Sequence, residues 1–412
     1  MGMRRVVVTG MGAVSPFGRG ADALLEGLMA NQSGVRLHPE LAKIKGLRTR
    51  VAGLVSGVDP KEIPRKFRRS MSEMSIFAAL SGQEAVDMGG ISAEICAAGR
   101  IGIAMGSTVS SPLATDECYR LYLNGYTVEE IKGTLFFQLM NHSCASNMAQ
   151  LLGITGRILA LSSACSTGNQ AIGYGYELIA FGKQDLMLCG GTEEFHPLSA
   201  ATFDIINAGS IKYNDRPQQT PRPFDQERDG MVCAEGCGVL LLEALDSALQ
   251  RQIPILAEVI GFATGSDPAN IADPHADSIE SCLRQALSQA GIQAGEVDYI
   301  NAHATGTLQG DKAEAEALRK IFGDGVPVSS LKGHLGHTLA ASGALESIAT
   351  IGMMNRGCLI PTLNLKNIDP LCGGITHLRH LEDREIDIAI KNNFALGGIN
   401  SCTVFRRYIH DR

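Results

Sequence analysis

Short apolar runs ending in Gly or another small or polar residue recur along the chain. They are Val6–Gly10, Ile158–Leu161, Leu186–Gly190, Val239–Leu242 and Val297–Ile300. Several lack polar alternation, the pattern of strands buried on both faces of a layered sheet. Between them the apolar spacing turns helical, at Ala21–Met29, Asn169–Phe181, Ser278–Ala290 and Leu339–Met354. In the last of these, Leu345, Ile348 and Gly352 fall near one face. Further on, Ile386, Ile388 and Ile390 alternate with Asp387 and Ala389. Cys402, Val404 and Arg406 form a second alternating stretch after Gly397-Gly398, which predicts two strands joined by a turn.

Strands alternating with helices predict an α/β fold. No linker of Pro/Ser/Gly type and no low-complexity segment divides the chain. The stretch Ala257–Ala263 echoes Arg5–Ala13, a strand running into a Gly turn. This restart predicts two related halves, 1–250 and 251–412, packed together as one fold.

Composition narrows the class. The 45% hydrophobic and 19% charged fractions fit a globular protein and exclude a disordered one. A net charge of −7 argues against a general nucleic-acid binder. With no Trp and 5% aromatics, a surface that stacks single strands is not expected. The 11 Cys are dispersed and odd in number, and Cys233 and Cys237 stand one residue too far apart for a Cys-x-x-Cys site. This predicts a cytoplasmic protein with reduced thiols. No apolar run approaches the roughly 18 residues of a membrane span. Met1–Arg5 followed by Val6–Val8 weakly imitates a leader, but Thr9, Gly10 and Gly12 break it, so a buried first strand is expected. Val6 also stands where a myristoylation signal needs Ser or Thr.

The most informative segment is Ser162-Ser163-Ala164-Cys165-Ser166-Thr167-Gly168. It lies between a predicted strand and a predicted helix. Cys165 is thus expected at a helix N-terminus, among small residues that let a substrate reach the sulfur. Free N–H groups and the dipole end favour a thiolate there, a good nucleophile toward acyl groups. Asn301-Ala302-His303-Ala304-Thr305-Gly306-Thr307 follows the run Val297–Ile300, with Asp311 and Glu314 one turn apart beyond it. Ser330-Leu331-Lys332-Gly333-His334-Leu335-Gly336-His337 follows Val326–Ser329 and precedes the helix bearing Glu346. His334 and His337 have the spacing of a metal pair, but no further ligand cluster accompanies them, and no metal is expected. Three strand ends therefore carry Cys165, His303 and His337, and in α/β sheets sites form where strand ends meet. Two imidazole N–H donors can stabilise an enolate oxygen while the Cys holds an acyl group.

Together these segments resemble the β-ketoacyl-acyl-carrier-protein synthases, the elongating condensing enzymes. The similarity spans nearly the whole chain, from Val6–Gly12 through Ala164-Cys165 and Arg222–Gly230 to Asn393–Asn400. Lys212–Asp215 and Gly182–Asp185 resemble the synthase I branch. The Cys-His-His order separates the chain from the chain-starting synthases, which pair Cys and His with Asn.

The resemblance implies a thiolase-like five-layered α-β-α-β-α fold, the nucleophile elbow and cap insertions in the first half and both histidines in the second. It implies a dimer, homodimeric or paired with a related subunit, and acyl carrier protein as partner. Cys165 would take the acyl chain. His303 and His337 would support decarboxylation of malonyl-carrier protein. The Cys165 and Leu396 N–H groups would form the oxyanion hole, with Phe394 beside the acyl gate. Lys332 and Glu346 would tune the charge around the histidines. Asp311, Glu314, Thr305 and Thr307 would support the loop and the malonyl group. The chemistry needs no metal or organic cofactor, and Gly10-Met11-Gly12 lacks the third Gly of a dinucleotide fingerprint.

The chain departs from the family pattern at Ala395-Leu396, where Gly-Phe is usual, so the gate lacks a ring. Ala304, Gly306 and Ser166 also differ from the usual residues. These changes bear on substrate preference and suggest a specialised polyketide or polyene enzyme beside the fatty-acid alternative. A chain-length-factor-like subunit would lack the nucleophile. A thiolase-type acyltransferase would need a second catalytic Cys, and Cys402 lies in a predicted strand. Lys61, Arg65, Lys66, Arg68 and Arg69 form a basic run in an acidic protein, a candidate docking patch for an acidic carrier.

Overall fold

The computed structural model describes residues 2–409. Met1, the head of the leader-like stretch, lies outside them. The strand Val6–Ser15 is buried along its whole length, as expected of a first core strand. It pairs antiparallel with Gly236–Ala244 on one side and with Ala257–Ser266 on the other. These pairings join two strand arrays into one 12-stranded sheet.

In the first array the strands in chain order are Val6–Ser15, Ile101–Gly106, Ile158–Leu161, Leu186–Glu193 and Gly236–Ala244. In space they run third, second, fourth, fifth, first. The second array comprises Ala257–Ser266, Tyr299–Asn301, Pro327–Ser329, Ile388–Ala395 and Ile399–Arg406, in the same spatial order. Directions match as well. The second strand is parallel to the third and fourth in each array, and the fifth is antiparallel to the fourth and first. The echo between Arg5–Ala13 and Ala257–Ala263 thus falls on the first strand of each half. Those strands meet at the seam, Val6 opposite Val259 and Val8 opposite Ala257.

Three cores define the layers. Helices Thr167–Ala180 and Ser342–Arg356 each follow the third strand of their array and pack on each other between the halves. Glu73–Met88 and Ser143–Leu152 cover the outer face of the first array. Ala276–Ala290 and Leu308–Phe322 cover that of the second. The result is the α-β-α-β-α stack of a thiolase-like fold. At the helix crossing, a Cβ on Gly343 would run into the Asn169 backbone nitrogen, and one on Gly168 would sit 2.8 Å from the Ala340 carbonyl oxygen. Only glycine lets the two helix starts approach this closely, and that approach brings their preceding loops together.

Three local expectations change. The helix expected over Leu339–Met354 begins at Ser342 after a 3-10 turn, Leu339–Ala341, and is buried from Ser342 through Met354 because a sheet or a helix packs on every side. Ile158–Leu161 is not buried on both faces: it is the outermost strand, and Ile158 is 42% exposed. Ile388–Ala395 is buried almost throughout, on both faces, despite the alternation seen before it. The turn between the last two strands falls at Leu396–Gly398, as the glycine pair predicts. Among the described residues no helix is long and apolar enough to cross a membrane.

Candidate active site

Loops following the parallel strands converge at one end of the central helices. After Ile158–Leu161 the chain makes a single 3-10 turn, Ala164–Ser166, before the helix begins at Thr167. Ala164 sits at φ 46°, a strained conformation for a residue with a Cβ. Thr167 Oγ1 donates to the Ala164 carbonyl at 2.8 Å and holds the turn. Ser166 Oγ lies 3.2 Å from the Asn393 carbonyl and 3.0 Å from that of Ile399, which ties the elbow to the second half.

His337 Nε2 lies 3.0 Å from Cys165 Sγ. Its Nδ1 accepts the Leu339 N–H at 3.3 Å. The hydrogen therefore resides on Nε2 and points at the sulfur. His303 stands perpendicular to His337, ring centroids 5.2 Å apart, with the Phe394 ring 5.8 Å beyond. Asn393 Nδ2 donates to the Cys165 carbonyl at 3.0 Å and faces His303 Nδ1 at 3.4 Å, which leaves His303 Nε2 as a second N–H donor. The Leu396 and Cys165 N–H groups favour the charged form of the sulfur.

Burial pushes the Cys165 thiol up to about 12, against the pull of Lys332 and the Leu396 N–H. The resting group is thus a thiol, not the thiolate that a helix N-terminus would favour: desolvation outweighs the dipole. Burial, then the Lys332 and Lys391 charges, holds both His303 and His337 well below the ordinary imidazole range, so both are neutral. Lys332 Nζ sits 2.8 and 3.0 Å from the two Glu346 carboxylate oxygens. Burial pushes the Glu346 carboxyl up, but Lys332 and Lys391 outweigh it and keep it ionised.

The remaining expected residues separate into groups. Glu314 accepts the His303 and Ala304 N–H groups at 2.9 and 2.7 Å, and Asp311 accepts those of Gly306 and Phe224 at 3.0 and 2.7 Å. Both acids therefore brace the His303 loop. Thr305, Thr307, Phe394 and Leu396 line the cleft with Cys165 and the histidines. Leu396 is 40% exposed at its mouth. Lys61, Arg65, Lys66 and Arg69 are exposed and Arg68 is half-buried, all outside the cleft lining. Cys402 is buried in the outer core of the second half and does not line the cleft.

The Cys165 sulfur and the two imidazoles offer ligand atoms within 4.8 Å of one another, near enough to share a metal ion. The Lys332 and Lys391 charges, which add to burial in disfavouring imidazole protonation, would also repel a divalent cation there. Sequence reasoning missed three residues. Asn393 orients His303, as above. Glu193 accepts the Thr108 and Ala340 N–H groups at 3.1 and 3.2 Å. Lys391 joins Glu346 at 2.8 Å. The available signal was a lysine inside the run Ile388–Phe394, where a buried charge requires a partner.

Residues 3–248 match the family model "Beta-ketoacyl synthase, N-terminal domain", and residues 256–366 match its C-terminal counterpart. The 3-oxoacyl-[acyl-carrier-protein] synthase 1 of Haemophilus influenzae is 33% identical over 410 residues, 98% of this chain and 100% of that protein. Among solved structures, a beta-ketoacyl synthase from Burkholderia phymatum STM815 is 40% identical with a TM-score of 0.95, covering 99% of this chain and 100% of that one. A type II PKS ketosynthase, solved with its acyl-carrier protein and bound to the hexaketide, is 29% identical with a TM-score of 0.91, covering 98% and 100%. A cysteine held between two neutral imidazoles on a duplicated five-layer fold, in a chain matched by both family models, belongs to the beta-ketoacyl synthase family.

Proposed function

We propose that the protein catalyses decarboxylating condensation of an acyl group on Cys165 with malonyl-acyl-carrier protein, giving β-ketoacyl-carrier protein and CO2. The observation that carries this reading is the placement of Cys165 Sγ and both imidazoles within 4.8 Å, beside the Leu396 N–H. In the first half-reaction the sulfur attacks the carrier thioester. An S–C bond forms at Cys165, the carrier S–C bond breaks, and the thiol proton ends on the carrier thiol. The Cys165 and Leu396 N–H groups stabilise the oxyanion. In the second, malonyl loses CO2 and its electron pair passes into an enolate held by the His303 and His337 N–H groups. The enolate carbon then attacks the acyl-Cys165 carbonyl, collapse expels the sulfur as a thiolate, and a proton from water restores the thiol. Lys332 and Glu346 set the charge around the imidazoles. Thr305 and Thr307 face the malonyl group, while Asp311 and Glu314 fix the loop.

The nucleophile lies in 1–250 and both histidines in 251–412, a division that agrees with the two family-model matches. The open edge strand Ile158–Leu161 supports a homodimer through this edge, and exposed Tyr119, Tyr126 and Phe136 offer further apolar surface for an interface. All 11 cysteines are free, which supports a cytoplasmic setting. Exposed Lys61, Arg65, Lys66 and Arg69, with Arg68, would dock the acidic carrier.

The test is labelled CO2 release from malonyl-carrier protein together with the mass of the acyl group on Cys165. Absence of acyl transfer to Cys165 defeats the reading. Charge reversal at Arg65, Lys66 and Arg69 should slow carrier-bound substrates and spare small thioesters; equal loss with both defeats the docking site. With Leu396 in place of a ring, we place the enzyme in specialised polyketide or polyene synthesis. Full rescue of a strain lacking its housekeeping elongating synthase, with ordinary fatty acids, counts against that.

A further inference from the structure

We propose that Lys391 is a positioning residue of this site: opposite Lys332 across Glu346, it fixes the carboxylate and supplies the second positive charge that keeps His303 and His337 as neutral N–H donors. This rests on the condensation reading above.

Lys391 lies on the strand Ile388–Ala395, its side chain fully buried. Its Nζ is 2.8 Å from Glu346 Oε2. Lys332 Nζ is 2.8 Å from Oε1, and Ser342 Oγ also donates to Oε1 at 2.8 Å. Two ammonium groups and a hydroxyl thus converge on one carboxylate and fix its orientation. Glu346 alone cannot neutralise two ammonium ions.

Of the other ionisable groups around Lys391, Glu314 faces it from the helix Leu308–Phe322 and offsets part of its charge, although its oxygens are turned to the His303 and Ala304 N–H groups and burial pushes that carboxyl up. Cys402 faces it from Ile399–Arg406, and burial first keeps that thiol neutral. His303 and His337 feel the Lys391 charge directly, and it opposes their protonation.

Neutral imidazoles suit the reaction. An imidazolium would pair with the malonyl carboxylate and stabilise the ground state that must lose CO2. A neutral N–H gains its full strength only as charge builds on the enolate oxygen. Burial first, then Lys332, draws Lys391 itself down to about 8, against the pull of Glu346. It is charged below that value and neutral above it, so the arrangement weakens on the alkaline side.

The test uses the full-length enzyme and Lys391→Met, which keeps length and removes charge. CO2 release from malonyl-carrier protein is followed from acid to alkaline pH, and the imidazoles are titrated by NMR. In the wild type, activity declines as pH rises through about 8. In Lys391→Met that decline disappears, and the imidazole titration moves up by about one pH unit, the effect of one charge at an effective dielectric near 20. The acid limb of CO2 release moves with it. Lys391→Arg retains the charge and the wild-type titration.

If Lys391→Met does not fold, Glu346→Gln is compared with Glu346→Gln/Lys391→Met, and the double variant should titrate about one unit higher. Unchanged imidazole titration with CO2 release intact overturns the role of Lys391. The NMR arm does not need turnover, so a wild type that releases no CO2 defeats the condensation reading alone.

Discussion

The fourth strand of the first half, Leu186–Glu193, ends on a buried carboxylate, whereas the fourth strand of the second half, Ile388–Ala395, buries Lys391. The strands occupy equivalent places in the same topology, yet their charges are opposite. The contrast extends around them. In the first half burial pushes the Glu193 and Glu235 carboxyls up to about 7. In the second, Lys332 and Lys391 surround one carboxylate beside two neutral imidazoles. The halves also differ at their outer strands. Pro327–Ser329 is covered by Thr376–His377, while among the described residues Ile158–Leu161 has no strand beyond it. The duplicated backbone provides convergent strand ends, and the side chains decide that one half carries Cys165 there and the other His303 and His337.

The largest expected effect tests that division of labour. Cys165→Ala should lower acyl transfer by more than about a thousandfold. CO2 release from malonyl-carrier protein should persist, because the histidines belong to the other half. Loss of both activities together would mean that the halves do not act separately.

Next in size is the contact on which both halves depend. Gly343→Ala forces a Cβ against the Asn169 backbone and should cost about 1–3 kcal/mol, read as a lower Tm. Gly295→Ala, with open space around its Cβ, is the control and should leave Tm nearly unchanged.

The edge comparison gives a smaller effect. Ile158→Asp on the open edge should weaken the dimer about tenfold, seen as a concentration-dependent shift toward monomer in sedimentation. Thr376→Asp, on the short strand that covers the opposite edge, should leave the assembly unchanged.

The smallest effect is a pH slope. The folded protein keeps His303, His334 and His337 neutral, whereas unfolded imidazoles take up protons below about 6.5. Their contribution to stability is complete above that value and declines as pH falls through it. Glu193 and Glu235 behave oppositely, since their folded values of about 7 lie above the unfolded 4.5. They favour the fold most below 4.5 and progressively less as pH rises toward 7. The two slopes oppose each other on acidification from pH 7 to 5. Glu193→Gln removes one of them, so its Tm should fall more steeply than that of the wild type over this range. A parallel profile would show that the opposing slopes do not arise from these groups.

Hydrophobic periodicity alone established the element types and much of their boundaries. Ala21–Met29 and Ile158–Leu161 fall where the pattern places them, and the echo near residue 257 marks the first strand of the second half. The small-residue segments after the third strand of each array and the second strand of the latter half located Cys165, His337 and His303, because a reactive group at a strand end needs room beside it. What spacing could not reveal is which distant residues meet. Lys391 has meaning only against Glu346 and Lys332, and Gly343 only against Asn169. Spacing placed Leu345, Ile348 and Gly352 near one face of a helix Leu339–Met354, where packing between layers also buries the residues around them from Ser342 to Met354. A local pattern records how a segment divides its own faces, whereas desolvation, charge pairing and close approach depend on partners that folding brings together from across the chain.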